Sequence, residues 1–416
     1  MTQIERSVFL LKVKNALCLS LFISVLMLAA CHGGGGTNSS QGVTQILQAS
    51  VEDTWRSYKE QYGVPSGGLA LYIESPSGNY FVSAGLPTTV DKDSHFRIAS
   101  NTKTFTAAAI MLLHQQGKLN IDDTIVSNIP GTAVTYLPNT APYAIPNKAD
   151  ITIRELLNHT AGVWDITNDP PISDACLRAE YRGKTYPEYI MYEKGDPNHQ
   201  FALEELIQVV ADCQIKSFVP GTGYRYSNTG YTILAKIIER VSGETYDAFV
   251  GRNLLAPNGL SSTTIPMLAT DRTIPVPYCD GFVFENGVFK PWNEDNMSST
   301  VAEGNMISTP ADLAKWVRKL IKGEAGINAA NVELMKTPSA YSTGYGLGIL
   351  HGRGLGYGHN GAHNGFTSLM VYNPSDDVTV VMYSNVMDNT NFPKEQAMLE
   401  KVARDVKYLL GYSSID

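Results

Sequence analysis

Ser100 and Lys103 stand three residues apart at the head of a run with helical spacing, which puts a hydroxyl and an amine one turn apart on the same face. A serine hydroxyl is a poor nucleophile at neutral pH and needs a base. A lysine held in low dielectric beside other donors loses enough proton affinity to help, and the helix N-terminus adds partial positive charge where an oxyanion would develop. Two further strings carry groups suited to acyl transfer: Tyr226-Ser227-Asn228, after the turn Pro220-Gly221-Thr222-Gly223, and His359-Asn360-Gly361, ahead of Gly365-Phe366. Each has an ordinary structural reading. Ser-x-x-Lys also describes an N-cap serine with a solvated lysine, and Tyr-x-Asn also describes a core tyrosine with a satisfied hydroxyl.

The elements that must position these groups follow from periodicity. Gly68 to Ile73, a Ser-Pro-Ser-Gly turn and Tyr80 to Val82 read as a hairpin. After Ser100, Phe105, Ala108, Ala109, Leu112 and Leu113 fall on one side of a helix that Gly117 stops. Further helices are expected at Thr152–Leu157, Leu203–Ala211, Tyr231–Val241 and Asp312–Ile321; a strand pair spans Thr367–Tyr372 and Val378–Ser384, and Lys394–Leu410 closes the chain as a helix. Strands at both ends around a helical middle predict an α+β fold: one antiparallel sheet flanked by helices, with a helical region, roughly 102–300, inserted. The long stretches Pro130–Pro146 and Pro170–His199 are expected to be structured lids or binding loops.

The chain has 416 residues, 43% of them hydrophobic, and a formal charge of -8 with both signs interspersed. That is enough for a well-buried core, and the charge pattern offers nucleic acid no basic footprint. At the N-terminus, Arg6, Lys12 and Lys14 precede an apolar run from Ala16 to Ala30. The run is shorter than the roughly 20 residues of a spanning helix, so 1–30 is expected to be an export signal. Leu28-Ala29-Ala30-Cys31 resembles a bacterial lipobox, which makes Cys31 the expected lipid anchor and 31–45 a flexible tether, with the body from 46 to 416. An exported protein on the periplasmic face of an envelope membrane is the expectation. Of five cysteines, Cys176 and Cys213 are expected to pair and Cys279 to be buried and free; no cysteine has a metal-like spacing.

Taken together and in order, the three motifs resemble those of the serine β-lactamases and penicillin-binding proteins, in the class C and D-alanyl-D-alanine carboxypeptidase branch. Phe96-Arg97-Ile98-Ala99, Leu157-Asn158-His159-Thr160-Ala161-Gly162 and Gly304-Asn305-Met306-Ile307-Ser308-Thr309 add to the likeness, which runs from about Val51 to Leu410. The resemblance implies a β-lactamase/DD-peptidase-like fold, no metal or organic cofactor, and a small peptide, ester or β-lactam as substrate. The expected activity is that of a D-alanyl-D-alanine carboxypeptidase-like enzyme on peptidoglycan stem peptides or related D-amino-acid peptides. An esterase or weak β-lactamase using the same serine is the alternative, and a non-catalytic penicillin-recognising protein is a third reading. It makes Ser100 the acylated nucleophile, Lys103 its proton relay and Tyr226 the candidate general base and acid. Asn228 would orient the acyl-side amide. His359, in place of the β-lactamase lysine, would keep a donor near Tyr226 and the substrate, with Asn360 and Gly361 beside it. The N–H groups of Ser100 and Ala362 would form an oxyanion hole, each donor worth about 3 kcal/mol.

His363-Asn364-Gly365 repeats the third motif, but the spacing of His359 to Phe366 matches the family's strand and leaves His363 at the rim. His159 is expected to support its loop, and Trp164, Asp165, Thr167 and Asn168 fall where the carboxypeptidases line their cleft. The branch uses hydroxyl side chains and a strand arginine to hold a substrate carboxylate. Asn360 and Ala362 lack hydroxyls, and Arg353 is the candidate replacement cation. With its reference pKa near 6.5, His359 is expected to change charge in the neutral range.

Overall fold

The computed structural model describes residues 36–169 and 184–412. Cys18, Cys31 and Cys176 lie outside them, and with them the expected export signal, the expected anchor and one half of the expected Cys176–Cys213 pair. Residues 36–45, expected to be flexible tether, are instead the opening turns of a helix, α1, Gly36–Tyr62. From Ile46 onward the chain makes one compact unit.

The expected hairpin forms from β1, Leu69–Ser75, and β2, Gly78–Ala84. The expected strand pair forms from β9, Phe366–Asn373, and β10, Val378–Ser384, with β7 (Leu350–Gly352) and β8 (Gly356–His363) ahead of it. They join in one six-stranded sheet of order β2-β1-β10-β9-β8-β7, every neighbouring pair antiparallel. Every residue of β9 and β10 is buried, which suits their Val, Tyr, Met and Phe content and requires cover on both faces. Register is tied across the whole chain, with Leu69 opposite Ser384 and Glu74 opposite Thr379.

The helix after Ser100 is α2, Thr102–Gln115. Hydropathy predicts one apolar side, yet every side chain from Thr102 to Leu113 is buried. The polar ones are admitted because they find partners: Thr104 Oγ1 donates to the Asn101 carbonyl (2.8 Å) and Thr106 Oγ1 to the Ala302 carbonyl (2.6 Å). The helical middle also contains α3 (Ile153–Leu157), α4 (Leu203–Cys213) and α5 (Asn228–Ser242). Helices α6, Pro310–Lys322, and α7, Phe392–Leu409, pack on β9 and β10.

The middle is not purely helical. Residues 282–291 form a hairpin of β4, Phe282–Glu285, and β5, Val288–Pro291, extended by β11, Val386–Asp388. Its turn places Asn286 at φ 50° and Gly287 at φ 80°, the left-handed pair that Asn-Gly favours in two-residue hairpins. A two-residue ladder of β3, Phe96–Arg97, against β6, Ile307–Ser308, brings the segment around residue 303 beside Ser100. Cys213 is disulfide-bonded and Cys279 is buried and free.

Trp316 on α6 joins these layers: fully buried, it stacks on Phe105 with ring centres 4.1 Å apart and donates Nε1–H to Thr104 Oγ1 at 2.8 Å. Trp316→Ala is expected to cost about 3–5 kcal/mol, the range for emptying a buried aromatic site. Urea unfolding monitored by far-UV circular dichroism checks this, and an unchanged midpoint would contradict the packing.

Candidate active site

Ser100 occupies a tight turn, Ala99–Asn101, that leads into α2. Ala99 sits at φ 50°, a left-handed conformation that costs a residue with a Cβ and persists only where neighbours hold it. Here they do. Ile98 N–H donates to the Met306 carbonyl at 3.1 Å, and Asn101 Nδ2 donates to the Ile98 carbonyl (2.8 Å) and to Ser368 Oγ (2.9 Å). On β8, Gly361 presses on the same turn so closely that a Cβ there would lie 2.4 Å from the Ile98 carbonyl oxygen. The glycine of the third motif is therefore what lets β8 approach the nucleophile.

Lys103 is wholly buried beneath Ser100. Its ammonium donates to Ser100 Oγ (3.1 Å), Asn228 Oδ1 (2.6 Å) and the Glu303 carbonyl (2.6 Å), and stands 3.5 Å from Glu303 Oε2. Burial lowers its pKa to about 8 against the opposing pull of Glu303 and Asp165. The same ammonium lies 4.8 Å from the centre of the Tyr226 ring. Burial drives the Tyr226 hydroxyl well above its ordinary range; Ser100 is near enough to draw it partly back, yet no hydrogen bond of ordinary geometry reaches the phenol. The resting phenol is thus a proton donor, and Lys103 is the group nearer to serving as base.

Asn228 is engaged at both ends, since Oδ1 accepts from Lys103 while Nδ2 donates to Thr167 Oγ1 at 2.9 Å. Asp165, buried, builds this corner: it accepts from Asn228 N–H (3.1 Å), from Thr167 N–H (3.1 Å) and from Asn168 Nδ2 (3.0 Å). His159 Nδ1 accepts from Ser227 N–H at 3.2 Å, and its ring packs on Tyr226 with centres 4.2 Å apart. Trp164 packs beneath the Arg225 guanidinium.

A cleft of about 670 Å³ opens over Ser100. Tyr226, Asn228, Thr167, Asn168, Asn360, Gly361, Ala362 and His363 line it together with Thr185, Pro187, Glu188, Met191 and Tyr192, so part of the long loop expected to bind does face the site. His359 does not line it. Its ring is 1% exposed, Nδ1 lies 2.5 Å from the Asn360 carbonyl, and Nε2 lies 2.8 Å from Tyr345 Oη. The carbonyl requires the proton on Nδ1, which leaves Nε2 to accept from Tyr345. Burial holds its pKa down at about 3, so the expected neutral-range charge change is corrected: His359 is neutral, and it buttresses Tyr345 and Tyr226 rather than reaching the substrate. At the rim, His363 Nε2 pairs with Asp295 Oδ2 at 2.9 Å. Arg353 is exposed and lines a separate cavity with Tyr224, Ser342 and His351, away from Ser100.

Glu303 is the foremost of three site residues that sequence patterning misses. It stands one place before the string Gly304-Asn305, and a lone glutamate between Ala302 and a glycine signals nothing by spacing. A carboxylate in a stretch that the β3–β6 ladder brings beside Ser100 is the only hint available. Tyr345 and Asp295 were equally silent, because their partners are remote or generic.

Two outcomes follow. With neutral Lys103 as the base for acylation, kcat/KM for an activated ester rises with pH through about 8, and Lys103→Arg, permanently protonated, abolishes the rise. A wild-type profile level from acid to alkaline pH would contradict that role. Gly361→Ala is expected to lower kcat/KM by about tenfold or more by displacing the nucleophile turn, with the loss read in acylation rate rather than in KM.

A β-lactamase family model matches residues 51–404. The chain is 27% identical over 359 residues to penicillin-binding protein 4* of Bacillus subtilis, covering 80% of this chain and 70% of that protein. It is 26% identical to penicillin-binding protein 4 of Amycolatopsis lactamdurans, covering 83% and 87%. Among solved structures, a D-stereospecific amidohydrolase from Streptomyces sp. aligns with TM-score 0.68 at 24% identity, covering 82% of this chain and 94% of that one. The D-amino acid amidase of Ochrobactrum anthropi aligns with TM-score 0.68 at 23% identity, covering 89% and 100%. With a family match across the whole body and a serine, a buried lysine and a tyrosine gathered at one cleft, the chain belongs to the β-lactamase and penicillin-binding protein family of serine hydrolases.

Proposed function

We propose that the chain hydrolyses amide bonds of D-amino-acid peptides or amides through an acyl-enzyme on Ser100. The observation that carries this reading is the 3.1 Å contact between Ser100 Oγ and a buried lysine whose proton is loosely held. Oγ attacks the carbonyl carbon as its proton passes to Lys103. The N–H groups of Ser100 and Ala362 would steady the oxyanion, and Tyr226 would give the leaving amine a proton and regain one from Lys103, which becomes neutral again. Water then cleaves the acyl ester and the hydroxyl is restored. The D-amino-acid class is supported by the relatives' names, penicillin-binding proteins by sequence and a D-amino acid amidase by fold.

Within that class, cleavage at a free C-terminal D-alanine, as in peptidoglycan stems, needs a partner for a carboxylate. Among the described residues lining the cleft there is no lysine or arginine, and Arg353 faces elsewhere. This favours amides, and as a second reading esters or β-lactams, over substrates with a free terminus. We propose further that the enzyme works outside the cytoplasm, held to an envelope membrane by a lipid on Cys31.

Intact-protein mass spectrometry after mixing with a D-Ala-D-Ala peptide, a D-amino-acid amide, p-nitrophenyl butyrate and nitrocefin tests the reading. Expected is an acyl adduct from the D-amide that Ser100→Ala abolishes. Adducts from the ester alone would select the esterase reading instead, and adducts surviving in Ser100→Ala would remove the nucleophile.

A further inference from the structure

Around Lys103 carboxyl groups outnumber amines. One buried ammonium faces two buried carboxyls, those of Glu303 and Asp165, which both act on it electrostatically. Asp165 is satisfied by backbone and side-chain donors. Glu303 is held less completely: its side chain is 4% exposed, Oε2 is 3.5 Å from Lys103 Nζ, and Oε1 has no hydrogen bond of ordinary geometry although the Thr167 hydroxyl stands near the carboxyl. An unpaired carboxyl oxygen withdrawn from water is costly and calls for a structural or functional reason. Glu303 also lines the cleft over Ser100, on the side of Asn228 and Thr167.

Resting on the acyl-enzyme reading above, we infer that Glu303 receives the free α-ammonium group of the residue that acylates Ser100, so that the enzyme takes substrates with an unblocked amino end. The geometry suits that group. Lys103 Nζ touches both Ser100 Oγ and Glu303 Oε2, so the carboxylate lies one cation's breadth from the attacked carbonyl, and an α-ammonium is bonded to the carbon next to that carbonyl. Asn228, which would otherwise hold an acyl-side amide, already accepts from Lys103 and donates to Thr167. The other described acids of the cleft are occupied: Glu188 caps its own helix through Thr185, and Asp295 holds His363 and Trp292. Burial raises Glu303 to about 8 in the empty site, so the carboxyl keeps its proton at neutral pH until an incoming ammonium favours its ionised form.

The test compares D-alanine p-nitroanilide with its N-acetyl derivative, in wild type and in Glu303→Gln, with fluorophosphonate labelling of Ser100 measured alongside. Expected in wild type is a preference for the free amine of about a hundredfold in kcat/KM, because a site built to pair a polar group rejects an analogue that cannot provide it. In Glu303→Gln the ratio should fall by at least about tenfold, whatever happens to the absolute rates through Lys103. The wild-type ratio stands without any variant, so a misfolded mutant does not remove the test. Equal or faster turnover of the acetylated substrate by wild type would overturn the role of Glu303 while leaving the acyl-enzyme reading intact; absence of turnover and of labelling would overturn both.

Discussion

An ammonium group cut off from water underlies the site. Lys103 is held by Ser100, Asn228, the Glu303 carbonyl and the Glu303 carboxylate, groups drawn from three distant parts of the chain. Each contact compensates for lost hydration, and together they fix where Nζ sits relative to the nucleophile. The surrounding architecture reads as what is needed to keep that arrangement: α2 buried on all sides, the β3–β6 ladder bringing Glu303 inward, and Asp165 clasping the start of α5 where Asn228 begins it. The same enclosure makes the amine a usable base, since the medium that disfavours the charge also loosens the proton.

Proton affinities set by burial divide the labour in a way residue types alone do not reveal. Tyrosine, histidine and lysine all occur at the site, and by reference values histidine would be the group titrating near neutrality. The enclosure reverses this ranking. His359 is driven down to about 3, Tyr226 is driven up, and Lys103 and Glu303 both come to about 8. Two groups of opposite charge type in contact titrate together, so the rise that neutral Lys103 brings is shaped by the protonation of Glu303 beside it.

Much of this was legible beforehand, for reasons that differ by residue. Ser100 and Lys103 announce themselves because one helical turn converts sequence distance into contact, and β1–β2 and β9–β10 because alternation and turn residues are local. Glu303 was hidden because its partner is 200 residues away and only the fold joins them. The neutrality of His359 was hidden because it depends on Tyr345 and on exclusion from the cleft, neither of which spacing encodes. The hairpin at 282–291 had its Asn-Gly signal in plain view and was absorbed into an expected helical stretch, while α1 begins earlier than its glycine-rich, polar approach suggests.

One feature of the sheet constrains when the enzyme comes alive. Strand β1 lies beside β10, and Gln396 of the closing helix reaches back to donate to the Gly361 carbonyl at 3.1 Å, next to the nucleophile turn. A polypeptide emerging end first would carry its serine and lysine long before the strands that clamp them exist, and loop closure over that span is slow. The nucleophile turn of such a chain lacks the contacts of β8 and the closing helix until the last strands and that helix are in place.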